Sequence, residues 1–521
     1  MSEPSAWDAE IEEGARRRDL AAGLGGPDRV VRQHANGKLT VRERIARLAD
    51  PGSFREVGGL AGEAVYDDYG TLLSFTPAPF VFGEARIDGR RVTVGGDDFT
   101  VKGAASARGP NKRRYFWRMS HDLQIPQIKL LDGAGASVKA VEEEERTYVP
   151  EIDGWSYAAA NLSRVPVVAA ALGPVAGLPA AEVVASHFSV MVKGLAQVFA
   201  AGPPVVARSG LGPEMTKEEL GGWEVAARSG VVDNAAEDEE DAFRQIREFL
   251  DFLPGSRFAF PQVRAATDPA DRDCRVLRDA VPRNPREPVR IRPIIHTLVD
   301  DGRFFEIGRY YGRSAVVGLA RLQGAPVAVI ATDPFFDGGG LTADASSKLT
   351  RFVDMANLFR LPVIHLVDRP GVVIGPAAER AGSLRYAARM LAALHEATVP
   401  WATILIRRAF GLAGAADRDH SRHGFRVAWP SGTWGSLPIE GGVKAAYKRA
   451  IEAAPDPELY LKQLEARLTA LRSPYRTAEA FLVEDVIDPA DSRALLCDWV
   501  GSAYDVLTSG ALDDAGARYR P

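Results

Sequence analysis

Two turns of small residues stand where apolar runs end: Ala176-Gly177-Leu178, with Gly177 eleven residues after Pro166, and Phe410-Gly411-Leu412-Ala413, with Gly411 eleven residues after Pro400. A glycine turn between a strand and a helix leaves backbone N–H groups without partners. Donors of that kind, converging on one point, stabilise the charge that develops on a carbonyl oxygen, such as that of a thioester enolate. Pro179 has no N–H, so the first turn must rely on Gly177 and Leu178. A second turn precedes each of these, Gly133-Ala134-Gly135-Ala136 in one half and Pro370-Gly371 in the other. It offers further backbone at the neighbouring strand end, the edge at which parallel sheets bind ligands, which makes Ala134, Gly135, Pro370 and Gly371 candidate ligand contacts. An isolated turn of this kind reads as tight packing. Its recurrence in both halves favours a binding role.

Other residue groups point to less. Asp417, His420 and His423 are spaced as ligands on one helix face would be, but Gly414 and Gly424 interrupt the helix, so a solvated or hydrogen-bonding role is expected and no metal site is assigned. Val190-Met191-Val192-Lys193 has a lysine where a biotin attachment site would, yet its apolar run reads as core. Lys112, Arg113, Arg114 and Arg118 form a basic cluster that could meet phosphates; a solvated helix face is the expectation. Glu142–Glu145 reads as an exposed acidic face. There is no phosphate-binding loop of the P-loop type.

The elements that must position the turns come in two copies. Gly83, Ala85, Arg86 and Gly89 match Gly318, Ala320, Arg321 and Gly324 at a spacing of 235 residues, each set reading as two strands around a glycine turn. Pro126 through Leu131-Asp132-Gly133 matches Pro362 through Val367-Asp368 at a spacing of 236, and Pro166 matches Pro400 at 234. Three matches in one order at nearly one offset identify a duplicated α/β fold with mostly parallel strands. The copies are expected at 1–260 and 289–521, joined by a Pro/Arg/Asp-rich stretch from about Pro261 to Val289. Pro457–Leu471 and Ala490–Leu507 carry helical periodicity.

Composition limits the alternatives. The chain has 521 residues, 46% hydrophobic and 26% charged, which suits two ordinary globular domains. A net charge of −5 provides no basic field for nucleic acid, and no apolar run is long enough to span a membrane. The N-terminal residues Glu3, Asp8, Glu10, Glu12 and Glu13 do not resemble a signal or transit peptide, so a cytoplasmic location is expected. Cys274 and Cys497, the two cysteines, are expected to be passive.

A series of motifs carries a family resemblance: Lys38-Leu39-Thr40-Val41-Arg42-Glu43-Arg44-Ile45, Asp50-Pro51-Gly52-Ser53-Phe54, Asp98-Phe99-Thr100-Val101, and Glu218-Glu219-Leu220-Gly221-Gly222 with Ser229-Gly230-Val231. Phe304-Phe305-Glu306-Ile307, Asp368-Arg369-Pro370-Gly371 and Glu396-Ala397-Thr398-Val399-Pro400 follow in the second half. From about Leu39 to Asp488 the chain resembles the carboxyltransferase subunits of biotin-dependent acyl-CoA carboxylases of the propionyl-CoA carboxylase kind. The resemblance implies two crotonase-like domains of ββα spiral units, acyl-CoA on the first and biotin on the second, with an active site between chains of a homo-oligomer, a hexamer by resemblance. It also implies biotin brought by a partner carrier subunit, a separate biotin carboxylase, and a coenzyme A thioester as substrate. Gly177 and Leu178 then fall at a Gly-Gly oxyanion pair, and Leu412 and Ala413 at a Gly-Ala pair.

The implied mechanism needs no protein base. Carboxybiotin yields its carboxyl group, its ureido nitrogen takes the α-proton, and the enolate is carboxylated. Where the family has Lys-Ala-Tyr-Gly-Gly-Ala-Tyr-Asp, this chain has Arg408-Ala409-Phe410-Gly411-Leu412-Ala413-Gly414-Ala415, so Ala415 stands at an aspartate that helps select the acyl group. Gly133-Ala134-Gly135-Ala136-Ser137 also replaces a Ser-Gly-Gly-Ala-Arg pattern, which leaves the acyl group open. A decarboxylase or hydrolase using the same turns, or an inactive scaffold, are the alternatives.

Overall fold

The computed structural model describes residues 5–105, 111–135, 145, 147, 149, 151–416, 423–437, 439–509 and 520. The chain divides into two compact units, one running to Asp251 and including Gly255–Ala259, the other comprising Phe252–Pro254 and Phe260–Arg520.

In the first unit a seven-stranded sheet runs in the order Arg55–Glu56, Phe80–Ile87, Arg90–Asp97, Gln127–Leu131, Val167–Ala171, Phe188–Val192, Asn234–Ala236. The first two pairings are antiparallel and the rest parallel. In the second unit Phe304–Ile307, Ala315–Leu322, Ala325–Thr332, Val363–Arg369, Trp401–Phe410, Gly424–Ala428 and Asp485–Val486 repeat that order and those senses. Local chemistry explains the match. Each sheet opens on a hairpin whose two turn residues, Asp88-Gly89 and Gln323-Gly324, have positive φ, as a two-residue turn matching strand twist requires. The parallel strands are covered on both faces, which is why Val167–Ala171 and Val363–Arg369 are buried along their whole length. After each hairpin comes a capped helix: Lys112–Leu123 accepts a cap from the Asn111 side chain, and Ala343–Leu358 from Thr342.

A small second layer is also duplicated. Pro174–Ala176 pairs in parallel with Gln197–Phe199, while Arg408–Phe410, the end of a longer strand, pairs in parallel with Thr433–Gly435. These short strands deliver the chain to Gly177 and Gly411.

The Pro/Arg/Asp-rich stretch contributes Cys274, Leu277 and Val289 to the core of the second unit, together with Ile291, Ile295 and Trp429. Cys274 and Cys497 are both free and buried. The helices near the C-terminus run over Pro457–Ala470 and Ser492–Thr508. Among the described residues no helix is long and apolar enough to cross a membrane.

Candidate active site

In the first unit, Gly177 has φ 66° and ψ −128° and caps the helix Leu178–Val184. This backbone region excludes most side chains, so glycine is what lets the strand turn into the helix there. Neither the Gly177 nor the Leu178 N–H donates to a backbone acceptor among the described residues. Gly135 lies against this turn: a Cβ on Gly135 would sit 2.7 Å from the Ala176 carbonyl oxygen and 3.7 Å from the Gly177 Cα. The two turns are thus in direct contact.

The second unit repeats the arrangement. Gly411, at φ 58°, opens the helix Gly411–Ala415, and a Cβ on Gly371 would meet the Phe410 carbonyl oxygen at 3.9 Å. Neither the Leu412 nor the Ala413 N–H reaches a backbone acceptor among the described residues. Both helices are short, at seven and five residues, so the local N–H groups of the first turn, rather than a long helix dipole, supply the field.

Not every candidate group is available. The Ala134 N–H donates to the Gly103 carbonyl at 3.1 Å, so Ala134 has no spare backbone donor. Pro370 has no N–H, and the Gly371 carbonyl accepts from Leu341 N–H at 2.9 Å, which pins the second turn. Leu412 is 45% exposed, Ala415 is exposed and Ala413 is buried. Ala136, Ser137, Glu142–Glu144, Asp417 and His420 lie outside the described residues; His423 is exposed. Among the described residues no group of three or more metal-binding side chains occurs.

Beneath the first turn lies a buried ionic frame. Asp132, the residue before Gly133, receives Lys38 Nζ at 2.9 Å and Arg44 at 3.0 Å, and Arg44 also holds Glu239 at 2.8 Å and the Leu172 carbonyl at 2.9 Å. The Asp132 N–H donates to Asp97, and Arg113 joins Asp97 to Glu182 on the helix Leu178–Val184. Trp117 Nε1 donates to the other Glu182 oxygen at 2.9 Å. Burial raises the Asp97 carboxyl, against the pull of Arg113. In the second unit Asp368 holds the equivalent place and is met by Arg407 at 2.7 Å and Arg408 at 2.6 Å. Burial would raise the Asp368 carboxyl, but hydrogen bonds from Arg407 and Arg408 outweigh it and hold it below the usual range. Each turn therefore springs from an aspartate clamped by two cations.

Lys112 and Arg113 of the basic cluster are withdrawn from solvent, while the side chains of Arg114 and Arg118 stay 49% and 42% exposed, as a solvated helix face would. Arg113 is bound to Asp97 and Glu182, Lys112 is buried 3.9 Å from Glu56 and over the Phe82 ring, and Arg114 pairs with Asp153 at 2.9 Å. Arg118 stacks on Tyr115 and lies 3.7 Å from Asp122. Three adjacent cations on a helix do not reveal in sequence which of them are buried. Val190 and Met191 are fully buried in a strand.

Residues 32–502 match the family described as the carboxyl transferase domain. The chain belongs to the carboxyl transferase family. It is 33% identical over 490 residues to the propionyl-CoA carboxylase carboxyltransferase subunit of Haloferax mediterranei, covering 93% of this chain and 94% of the relative. It is 33% identical over 503 residues to the methylmalonyl-CoA carboxyltransferase 12S subunit of Propionibacterium freudenreichii subsp. shermanii, covering 94% and 93%. A crystal structure of transcarboxylase 12S, a hexamer with methylmalonyl-coenzyme A and methylmalonic acid bound, superposes with a TM-score of 0.87 at 29% identity over 97% of both chains. Both units of this carboxyl transferase have the crotonase-like fold of that neighbour.

The motifs of the first half did not show which side chains hold its turn. Lys38, Arg44, Asp132, Glu182 and Glu239 hold the first turn, and the visible signal was the matching place of Asp132 and Asp368 in the repeat. Lys129 belongs to the same frame: its Nζ donates to the Glu182 and Ala185 carbonyls at 3.2 and 3.0 Å, tying down the helix that starts at Gly177. Burial lowers the Lys129 pKa to about 8. An unfolded lysine keeps its proton to about pH 10.4, so between pH 8 and 10 the unfolded chain holds more protons and stability rises with pH. Lys129→Met should flatten that rise in melting temperature between pH 8 and pH 10. Lys112, also lowered to about 8 by burial, leaves a residual slope.

Proposed function

We propose that this chain transfers a carboxyl group between biotin on a partner carrier and the α-carbon of an acyl-CoA. Membership of the carboxyl transferase family supports the reaction class, and the relatives named above act on propionyl-CoA and methylmalonyl-CoA. The observation that carries the reading is the duplication: two equivalent turns whose N–H donors meet no backbone acceptor among the described residues, one in each unit, suit a reaction with two carbonyl oxygens to stabilise.

In this reading Gly177 and Leu178 donate to the thioester oxygen as it gains enolate charge, and Gly135 lets the acyl group approach closely. Leu412 and Ala413 donate to the second carbonyl, with Pro370, Gly371 and Ala415 around it. That donor pair fits a ureido oxygen, because both groups are neutral N–H donors on a turn whose outer side chains, Leu412 and Ala415, are exposed. Biotin, when bound, supplies the carboxyl group and a ureido nitrogen that accepts the α-proton. The protein's share is orientation and preorganised donors, so no side-chain base is required. A biotin carboxylase and a biotin carrier would be the partners, and a homo-oligomer, hexameric as in the neighbouring structure, the assembly. The first unit would be the acyl-CoA side and the second, whose main stretch begins at Phe260 rather than near 289, the biotin side.

The test is reconstitution. Purified chain, given a biotinylated carrier, a biotin carboxylase, ATP, bicarbonate and acyl-CoA thioesters of increasing length, should yield a carboxylated thioester only when the carrier is present. Absence of product from a correctly assembled oligomer across that series would refute the reading.

A further inference from the structure

The second unit contains a cavity of about 970 Å³ whose wall carries six arginines, Arg278, Arg283, Arg286, Arg407, Arg408 and Arg472, against a single carboxylate, Asp488. Asp488 is engaged by Arg278, and Arg407 and Arg408 share Asp368. Among the described residues no carboxylate pairs with Arg283 or Arg286, and both are exposed at the mouth. Arg283 and Arg286 are therefore not neutralised by a side-chain carboxylate among the described residues. Guanidinium groups gathered around a concave, low-dielectric wall repel one another and focus a field that an anion relieves.

Most of the remaining wall is apolar. Leu277, Val281, Phe410, Trp429 and Ile487 line it, and the Arg472 guanidinium lies 5.7 Å from the centre of the Phe410 ring. A volume of this size suits a small molecule, and planar guanidinium forks approaching from several sides match the oxygens of phosphate better than a lone carboxylate, which is planar and singly charged.

We infer that this cavity binds a phosphate-bearing small molecule, with Arg283 and Arg286 capturing the phosphate at the mouth. This goes beyond the transfer reaction and does not use the donors of Leu412 and Ala413. The phosphate could belong to a nucleotide or be inorganic, and separate probes distinguish the two.

The experiment is titration calorimetry on the full chain with ADP, with inorganic pyrophosphate and with adenosine, repeated on the double variant Arg283→Gln/Arg286→Gln. Both positions are exposed, so the variant should melt with the wild type; melting and oligomer size are measured alongside. At least one phosphate probe is expected to bind once per chain with a Kd below about 1 mM, to weaken at least about tenfold in the double variant, and to weaken with added salt. Binding by ADP alone identifies a nucleotide ligand, and binding by both identifies the phosphate as sufficient. Failure of both phosphate probes to bind, equal affinity in the double variant, or adenosine binding as tightly as ADP would each overturn the inference.

Discussion

Leu178→Pro is expected to cut carboxyl transfer by about a hundred- to a thousandfold, the usual cost of one preorganised oxyanion donor, about 2.7–4 kcal/mol. The position makes this a clean deletion. Leu178 is the first residue of its helix, where proline is favoured and where the N–H has no intrahelical acceptor. The substitution therefore removes a hydrogen without breaking a helical bond. Gly177→Pro would be less clean, because proline cannot reach φ 66° and the turn itself would be rebuilt. The leucine side chain packs against the cluster that contains Phe116 and Trp117, so Leu178→Ala serves as the control: it loses that packing, keeps the N–H, and should stay within about tenfold of wild type. If Leu178→Pro melts and assembles normally yet turns over like Leu178→Ala, the donor assignment in the first unit is wrong.

The second large effect is on stability. Arg44→Met should destabilise the first unit by about 3–5 kcal/mol, read as a lowered urea midpoint. Arg44 is fully buried, and its guanidinium holds Asp132, both Glu239 oxygens and the Leu172 carbonyl. Methionine fills most of the volume but leaves Asp132 to Lys38 and the Gln33 side-chain amide, and Glu239 with only the Leu39 N–H at 3.1 Å among the contacts described. Breaking one side of a buried ionic group is costly because the remaining charge stays buried. Since Asp132 leads into the Gly133–Gly135 turn, turnover should fall as well, even under conditions where the variant stays folded. An unchanged urea midpoint would mean that the ionic frame does not support the turn.

The duplication was legible in the sequence because hairpin turns and strand-entry prolines are local signals that survive divergence: Gly89 and Gly324, Pro126 and Pro362, and Pro166 and Pro400 keep their spacing. The donor turns were legible for the same reason. One further repeat went unseen. Lys102–Ala104 and Asp337–Gly339 are both short 3-10 turns with a glycine at positive φ, Gly103 and Gly338, but their neighbours share few residue types. The ionic frame was legible only as the matching places of Asp132 and Asp368. The segment carrying Lys38 and Arg44, Asp132 and Glu239 lie far apart in the chain, and only the fold brings them within 3 Å. Within the basic cluster Arg113 misled for a related reason, since the carboxylates that hold it, Asp97 and Glu182, lie on a strand and a helix elsewhere in the sequence. Nor did the turn sequence reveal that the Ala134 N–H is already bonded to Gly103.

The most direct test of carboxyl transfer is its reverse half. Malonyl-CoA and methylmalonyl-CoA carrying a labelled free carboxyl group are incubated with the purified oligomer, with and without a biotinylated carrier, and the label is followed. The account predicts that label moves from thioester to the carrier's biotin, that the unlabelled acyl-CoA accumulates in step, and that neither happens without the carrier. Release of labelled carbon dioxide at the same rate with or without the carrier, and no label on biotin, would contradict it.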